Sequence, residues 1–133
     1  IGISILRERP STRLWTCDVS PRAVEVAKQN ATQLGVSDRI IYETGDVLEY
    51  KKLGEFDLVV SNPPYIDKAD ARVEKNVRAF EPELALFAED RGLRCYQRWI
   101  PWSVLALKAG GKIIFELGEG QHEAVREICS DAG

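Results

Sequence analysis

Asn62-Pro63-Pro64-Tyr65 follows the apolar run Phe56–Ser61 (FDLVVS) with no spacer. Two successive prolines fix two φ angles and remove two backbone N–H donors. Asn62 and Pro63 each precede a proline, which pushes both into extended conformations. A strand that runs into this sequence must end there, in a rigid stub that offers acceptors and few donors. The Asn62 side-chain oxygen and the Pro63 carbonyl are two acceptors that one NH₂ group can meet together. Tyr65 then supplies a flat ring for stacking on the group that carries the nitrogen.

The rest of the chain places that stub in an α/β framework. Ile1 to Arg9 reads as the tail of a helix stopped by Pro10. Arg13–Asp18 reads as a short buried strand ending in an acid. Ser20-Pro21 opens a helix, with serine as cap and proline in the first turn. Ala23, Val24, Ala27, Ala31 and Leu34 recur at helical spacing, and Gly35 closes the helix. Arg39–Thr44 is a second strand and Phe56–Ser61 a third. Residues 66–89 are polar and irregular with room for one short helix, and long loops in compact domains are usually functional. Gly92–Lys108 reads as a helix that Pro101 kinks or splits, with Trp99 and Trp102 in its core. Gly110-Gly111 turns into a strand at Lys112–Leu117, and a last helix spans about Gln121–Ser130. Strands that alternate with helices predict a mainly parallel sheet with ligands beyond its carboxyl ends.

The unusual residues fall at those ends. Asp18 can accept from both hydroxyls of a ribose, or it caps the helix that starts at Pro21. Asp46, after Gly45, can accept from an adenine amino group while Val47 packs on the ring, or the pair is a plain turn. Glu116 has a structural or a site role. Arg78 and Glu81, in the long loop with Phe80 and Pro82, are expected to pair with each other, and Lys51-Lys52 is a solvated run. The acceptor pair at Asn62 and Pro63 suits methyl transfer to a conjugated nitrogen, whose delocalised lone pair is a weak nucleophile. Two acceptors orient that nitrogen toward a sulfonium methyl and stabilise the positive charge it develops. A proline-rich turn that merely ends a strand is the plain alternative.

Composition narrows the partners. The net charge of -3 over 133 residues argues against a dedicated nucleic-acid grip. No apolar run approaches the ~20 residues of a membrane span. The three cysteines Cys17, Cys95 and Cys129 form no close pair, so a reducing cytosol is the expected compartment. His122 is the single histidine, which leaves no metal site to expect.

Taken together, the motifs resemble the HemK/PrmC family of protein-glutamine methyltransferases, which modify peptide chain release factors. The matching stretches are Thr16–Ser20, Phe56–Ile66, Val77–Leu86, Gly92-Leu93 with Tyr96, Leu107–Gly111 and Phe115–Gly118. Asn-Pro-Pro-Tyr alone is shared with DNA-adenine and RNA-guanine methyltransferases, and Arg78-x-Phe80-Glu81-Pro82 narrows the resemblance. It implies a Rossmann-like class I fold, S-adenosylmethionine as cofactor, and the glutamine of a Gly-Gly-Gln tip as acceptor. It further implies that Asn62, Pro63, Pro64 and Tyr65 hold that glutamine, that Asp18 holds the cofactor ribose, and that Asp46 and Val47 border the adenine. Ala88-Glu89-Asp90-Arg91 stands where the family usually has more glycine.

On the same resemblance, residues 1–133 are expected to be a partial catalytic domain. The first strand with its glycine-rich loop, the N-terminal release-factor-binding helical domain and the last two strands are expected to be missing. The isolated chain is accordingly expected to be a poor enzyme. Two other readings stay open: an amino-methyltransferase acting on an exocyclic base nitrogen, and a nucleotide-binding module without catalysis.

Overall fold

The computed structural model describes residues 1–69 and 82–133. The chain forms two compact units, Ile1–Tyr50 and Lys51–Gly133.

In the first unit, α1 (Gly2–Glu8) precedes β1 (Leu14–Asp18), α2 (Pro21–Gln33) and β2 (Ile40–Thr44). β1 and β2 pair in parallel, from Leu14 opposite Ile40 to Asp18 opposite Thr44. The crossover between them is α2, and its ends are set by local chemistry. Ser20 Oγ accepts from Ala23 N at 3.3 Å, and Pro21 occupies the first turn. Gly35 takes φ +67, Val36 N donates to Ala31 O and Gly35 N to Thr32 O, which satisfies the carbonyls left over at the helix end. Leu6, Ala31 and Val36 form the buried core, with Ile3, Leu14, Ile40 and Tyr42 packed on it. The Arg39 guanidinium lies near the carbonyls of Leu6, Arg9, Pro10 and Thr12, a cation at the negative end of α1.

In the second unit, β3 (Phe56–Ser61) leads through the proline stub into β4 (Ile66–Asp67). From residue 82 onward come α3 (Glu83–Leu86), β5 (Phe87–Ala88), α4 (Arg94–Ala106), β6 (Leu107–Phe115) and α5 (His122–Ala132). β3 pairs in parallel with β6, and β4 in parallel with β5. Tyr96, Ile100 and Val125 make the core, flanked by Tyr65, Leu93, Phe115, Ile128 and Ala132.

The α/β class with parallel pairing is as expected, and four details differ. Pro101 lies inside α4, which neither splits nor stops there. Along α4 the buried positions are Tyr96, Ile100, Ser103 and Ala106, whereas Trp99 and Trp102 are half-buried, Trp102 against Phe56 at 6.5 Å between ring centroids. The strand expected from Lys112 begins at Leu107. Gly110 (φ +79) and Gly111 sit within it as an irregularity, because the partner of β3 steps from Leu107 to Lys112 between Phe56 and Leu58. The described residues within 66–89 hold two short strands besides a short helix. The proposed Arg78–Glu81 pair and Phe80 lie outside the described residues. No helix among the described residues is long and apolar enough to cross a membrane.

The segment noted as glycine-poor is where the backbone turns left-handed. Asp90 has φ +54, Arg91 φ +57 and Gly92 φ +83. A side chain in that region costs roughly 1–2 kcal/mol. Arg91→Gly should therefore stabilise the protein by about 0.5–1 kcal/mol, after part of the gain is lost to the greater freedom of the unfolded chain. The Arg91 carbonyl, which accepts from Gln121 Nε2 at 3.3 Å, is retained in that variant. An unchanged or lower urea midpoint would contradict the strain.

Candidate functional site

In the first unit, Asp18 ends β1 with its side chain exposed. Its Oδ1 accepts from Ser20 N at 2.8 Å, so the carboxylate does shape the turn into α2. Its Oδ2 has no hydrogen-bond partner among the described residues. A carboxylate has about four acceptor positions, and the turn uses one of them. Asp46 Oδ1 accepts from Leu48 N at 3.0 Å and caps the 3₁₀ turn Val47–Glu49. Gly45 joins the two aspartates: its N–H donates to the Asp18 carbonyl at 3.0 Å, and its carbonyl accepts from Cys17 Sγ at 3.1 Å.

Burial, with the charges of Asp18, Glu43, Asp46 and Glu49, pushes the Cys17 thiol up to about 11. Cys17 is therefore protonated at neutral pH and a poor nucleophile. The same four carboxylates make this strand end a region of negative potential that favours donors and cations. The exposed Asp18 and the half-buried Asp46, beside the half-buried Val47, offer carboxylate acceptors to hydroxyl and amino donors.

In the second unit, the stub is fixed from below and held from behind. Pro63 is fully buried, whereas Asn62 is exposed and its side chain has no hydrogen-bond partner among the described residues. Tyr65 is tied at both ends. Its hydroxyl donates to Glu116 Oε1 at 3.0 Å, and its carbonyl accepts from Gln121 Nε2 at 2.9 Å. The bond to Glu116, then burial, raises the Tyr65 phenol above its ordinary value. Glu116 is held in turn: its N–H donates to Ser61 O at 3.0 Å, and its carbonyl accepts from Tyr96 Oη at 2.8 Å. Tyr96 is fully buried, and burial pushes its phenol up to about 12. Both phenols of this chain, Tyr65 and Tyr96, are therefore neutral donors at neutral pH.

Of the residues expected to matter, Asp18 and Asp46 come together through Gly45, with Val47 next to Asp46. Asn62 to Tyr65 come together with Glu116. Two contributors were missed. Gln121 was read only as the start of a helix, yet it bonds Tyr65, Arg91 and, through Oε1, Gly118 N at 3.0 Å. Gly92 was read as the start of a helix and as part of a matching stretch. A Cβ there would lie 2.1 Å from the Tyr65 carbonyl oxygen. A polar residue three positions after Gly118 and a glycine after two charged residues were the available signals, and neither names its partner.

A parallel β-α-β unit with an acidic strand end, and a separate strand ending in a proline stub, define a Rossmann-like methyltransferase. A solved Nostoc punctiforme structure assigned as an O-methyltransferase has the same fold, with TM-score 0.59 and 22% identity over 86% of this chain and 27% of that one. The sequence profile of the methyltransferase small domain matches residues 1–82, and the chain belongs to that family. It is 42% identical over 133 residues to the release factor glutamine methyltransferase of Enterococcus faecalis, covering 99% of this chain and 47% of that protein. It is 36% identical to the protein of the same name from Clostridium acetobutylicum, covering 100% and 48%. A bifunctional methyltransferase of Rickettsia felis is 41% identical, covering 100% and 25%. The resemblance to HemK/PrmC enzymes is thus borne out, and the chain spans about half or less of the length of these relatives.

Proposed function

We propose that this chain carries catalytic residues of an S-adenosylmethionine-dependent methyltransferase acting on the side-chain amide of a glutamine in a peptide chain release factor. The observation that carries the reading is the Asn62–Tyr65 stub: an exposed Asn62 on a buried Pro63, with Tyr65 anchored through Glu116 and Gln121. When bound, S-adenosylmethionine supplies an electrophilic methyl group on a sulfonium. Asn62 Oδ1 and the Pro63 carbonyl accept from the glutamine NH₂ and turn its lone pair outward. The Tyr65 ring stacks on the amide plane. No base of this chain is needed before transfer, since the nitrogen loses its proton afterwards, when it carries positive charge and is strongly acidic.

Asp18 holds the ribose, and Asp46 with Val47 borders the adenine. The names of the Enterococcus and Clostridium relatives, both release factor glutamine methyltransferases, support the amide acceptor. The net charge of -3 disfavours the base-methylating reading. The deciding experiment is transfer of labelled methyl from S-adenosylmethionine to release factor in parallel with DNA and RNA, using the protein that contains this chain. Label on nucleic acid and none on release factor would reverse the assignment.

Asp18→Ala should weaken cofactor binding by roughly 1.5–3 kcal/mol, the cost of losing a charged hydrogen-bond partner. Calorimetry with S-adenosylhomocysteine reads it, and Asp18→Asn, which can still accept from Ser20 N, separates binding from turn geometry. A dissociation constant unchanged in both variants returns Asp18 to the turn alone.

A further inference from the structure

We infer that Gln121 is a positioning residue for methyl transfer, setting the place of the Tyr65 ring through the Tyr65 carbonyl. This inference rests on the function proposed above. Gln121 stands at the N-terminus of α5, where an unpaired side chain would be unremarkable in a surface helix. Instead the half-buried amide makes three hydrogen bonds, with both of its donors engaged. Nε2 donates to Tyr65 O at 2.9 Å and to Arg91 O at 3.3 Å, and Oε1 accepts from Gly118 N at 3.0 Å. One side chain thereby joins the proline stub, the left-handed turn at residues 90–92 and the loop after β6.

The stub needs such a tie. Pro63 and Pro64 supply no N–H, so the backbone between β3 and β4 can be held through few of its own donors. The Tyr65 carbonyl becomes the handle. Gly92 passes so close to that carbonyl that a Cβ there would lie 2.1 Å away, and a Cβ at Gly118 would lie 2.6 Å from Gln121 Oε1 and 3.0 Å from Tyr65 Cδ2. Both glycines clear the space in which the amide bridges. Glu116 fixes the hydroxyl end of the same tyrosine, so ring and backbone are held by two separate anchors. A stacking ring that drifts by about 1 Å loses the alignment of the acceptor nitrogen, which can cost up to about 100-fold in rate.

The test compares Gln121→Glu with the wild-type protein. Glutamate keeps the length and the acceptor for Gly118 N. It loses both donors and sets a carboxylate against two carbonyl oxygens. The turnover number per bound S-adenosylhomocysteine site should fall by about 10–100-fold, with KM for S-adenosylmethionine within about twofold, because the cofactor residues are untouched. Amide hydrogen exchange at Tyr65 and Ile66 should speed up while exchange in α2 stays the same. Gln121→Asn, one methylene shorter, should behave like the glutamate variant.

A merely structural role would lower the melting temperature and the number of active sites but leave turnover per site and KM unchanged, and that result overturns the proposal. Unchanged exchange at Tyr65 and Ile66 overturns it as well. If the wild-type protein methylates no release factor, the proposed function fails, and the exchange measurement still decides whether Gln121 holds the stub.

Discussion

Asn62→Ala should nearly abolish methyl transfer, with a fall of about 10²–10³-fold in turnover, while the affinity for S-adenosylhomocysteine changes far less. The magnitude is that of removing one preorganised partner of a charge that develops in the transition state. Asn62 is exposed and its side chain has no hydrogen-bond partner among the described residues, so the substitution breaks no hydrogen bond there and stability should hold. The loss belongs to the reacting state: with one acceptor gone, the glutamine NH₂ keeps only the Pro63 carbonyl and can rotate about that single bond. Rate measured at saturating release factor, with calorimetry on the same preparation, separates the two effects. Near-normal turnover would remove Asn62 from the chemistry.

Gly92→Ala should cost about 2–5 kcal/mol of stability, the sum of a left-handed alanine and an overpacked contact. Gly92 has φ +83, and the added Cβ would meet Tyr65 O at 2.1 Å and Gln121 Nε2 at 2.7 Å. A backbone oxygen cannot swing aside as a flexible side-chain tip does, so the stub itself must move. Gly120→Ala is the control, since Gly120 has φ +77 with nothing within 4 Å of the added carbon. It bears the conformational cost alone, about 1–2 kcal/mol. Urea denaturation of both should show the larger drop at Gly92. Equal drops would mean that the close approach to Tyr65 is absent in solution.

Asp18 illustrates how two readings of one residue can both hold. From sequence it was either a ribose ligand or a cap, because Ser20-Pro21 follows it. Its Oδ1 serves the turn to Ser20 N and its Oδ2 is left over, and a carboxylate has acceptors enough for both duties. Local chemistry creates the turn, and the exposed carboxylate keeps a second oxygen that the turn does not use. Glu116, which reads from sequence as either structural or part of the site, holds Tyr65 by its hydroxyl.

Features governed by neighbours along the chain were legible before any folding was known. Proline geometry ended β3 at Ser61, Ser20-Pro21 started α2, Gly35 closed it, and apolar periodicity separated strands from helices. The family was legible in the same way, since the proline stub and its flanking motifs form a contiguous chemical pattern. The tertiary structure decided what depends on distant partners. β6 begins at Leu107 because Phe56 pairs there, which no reading of Gly110-Gly111 as a turn could anticipate. Pro101 stays within α4 because Tyr96, Ile100, Ser103 and Ala106 bury one face on both sides of it, and packing outweighs one lost backbone bond. Gln121 reaches Tyr65 across 56 positions. Hydrogen bonds of that span are fixed by how β6 and α5 fold back on the stub, and a side-chain amide carries no mark in the sequence of which carbonyl it will find.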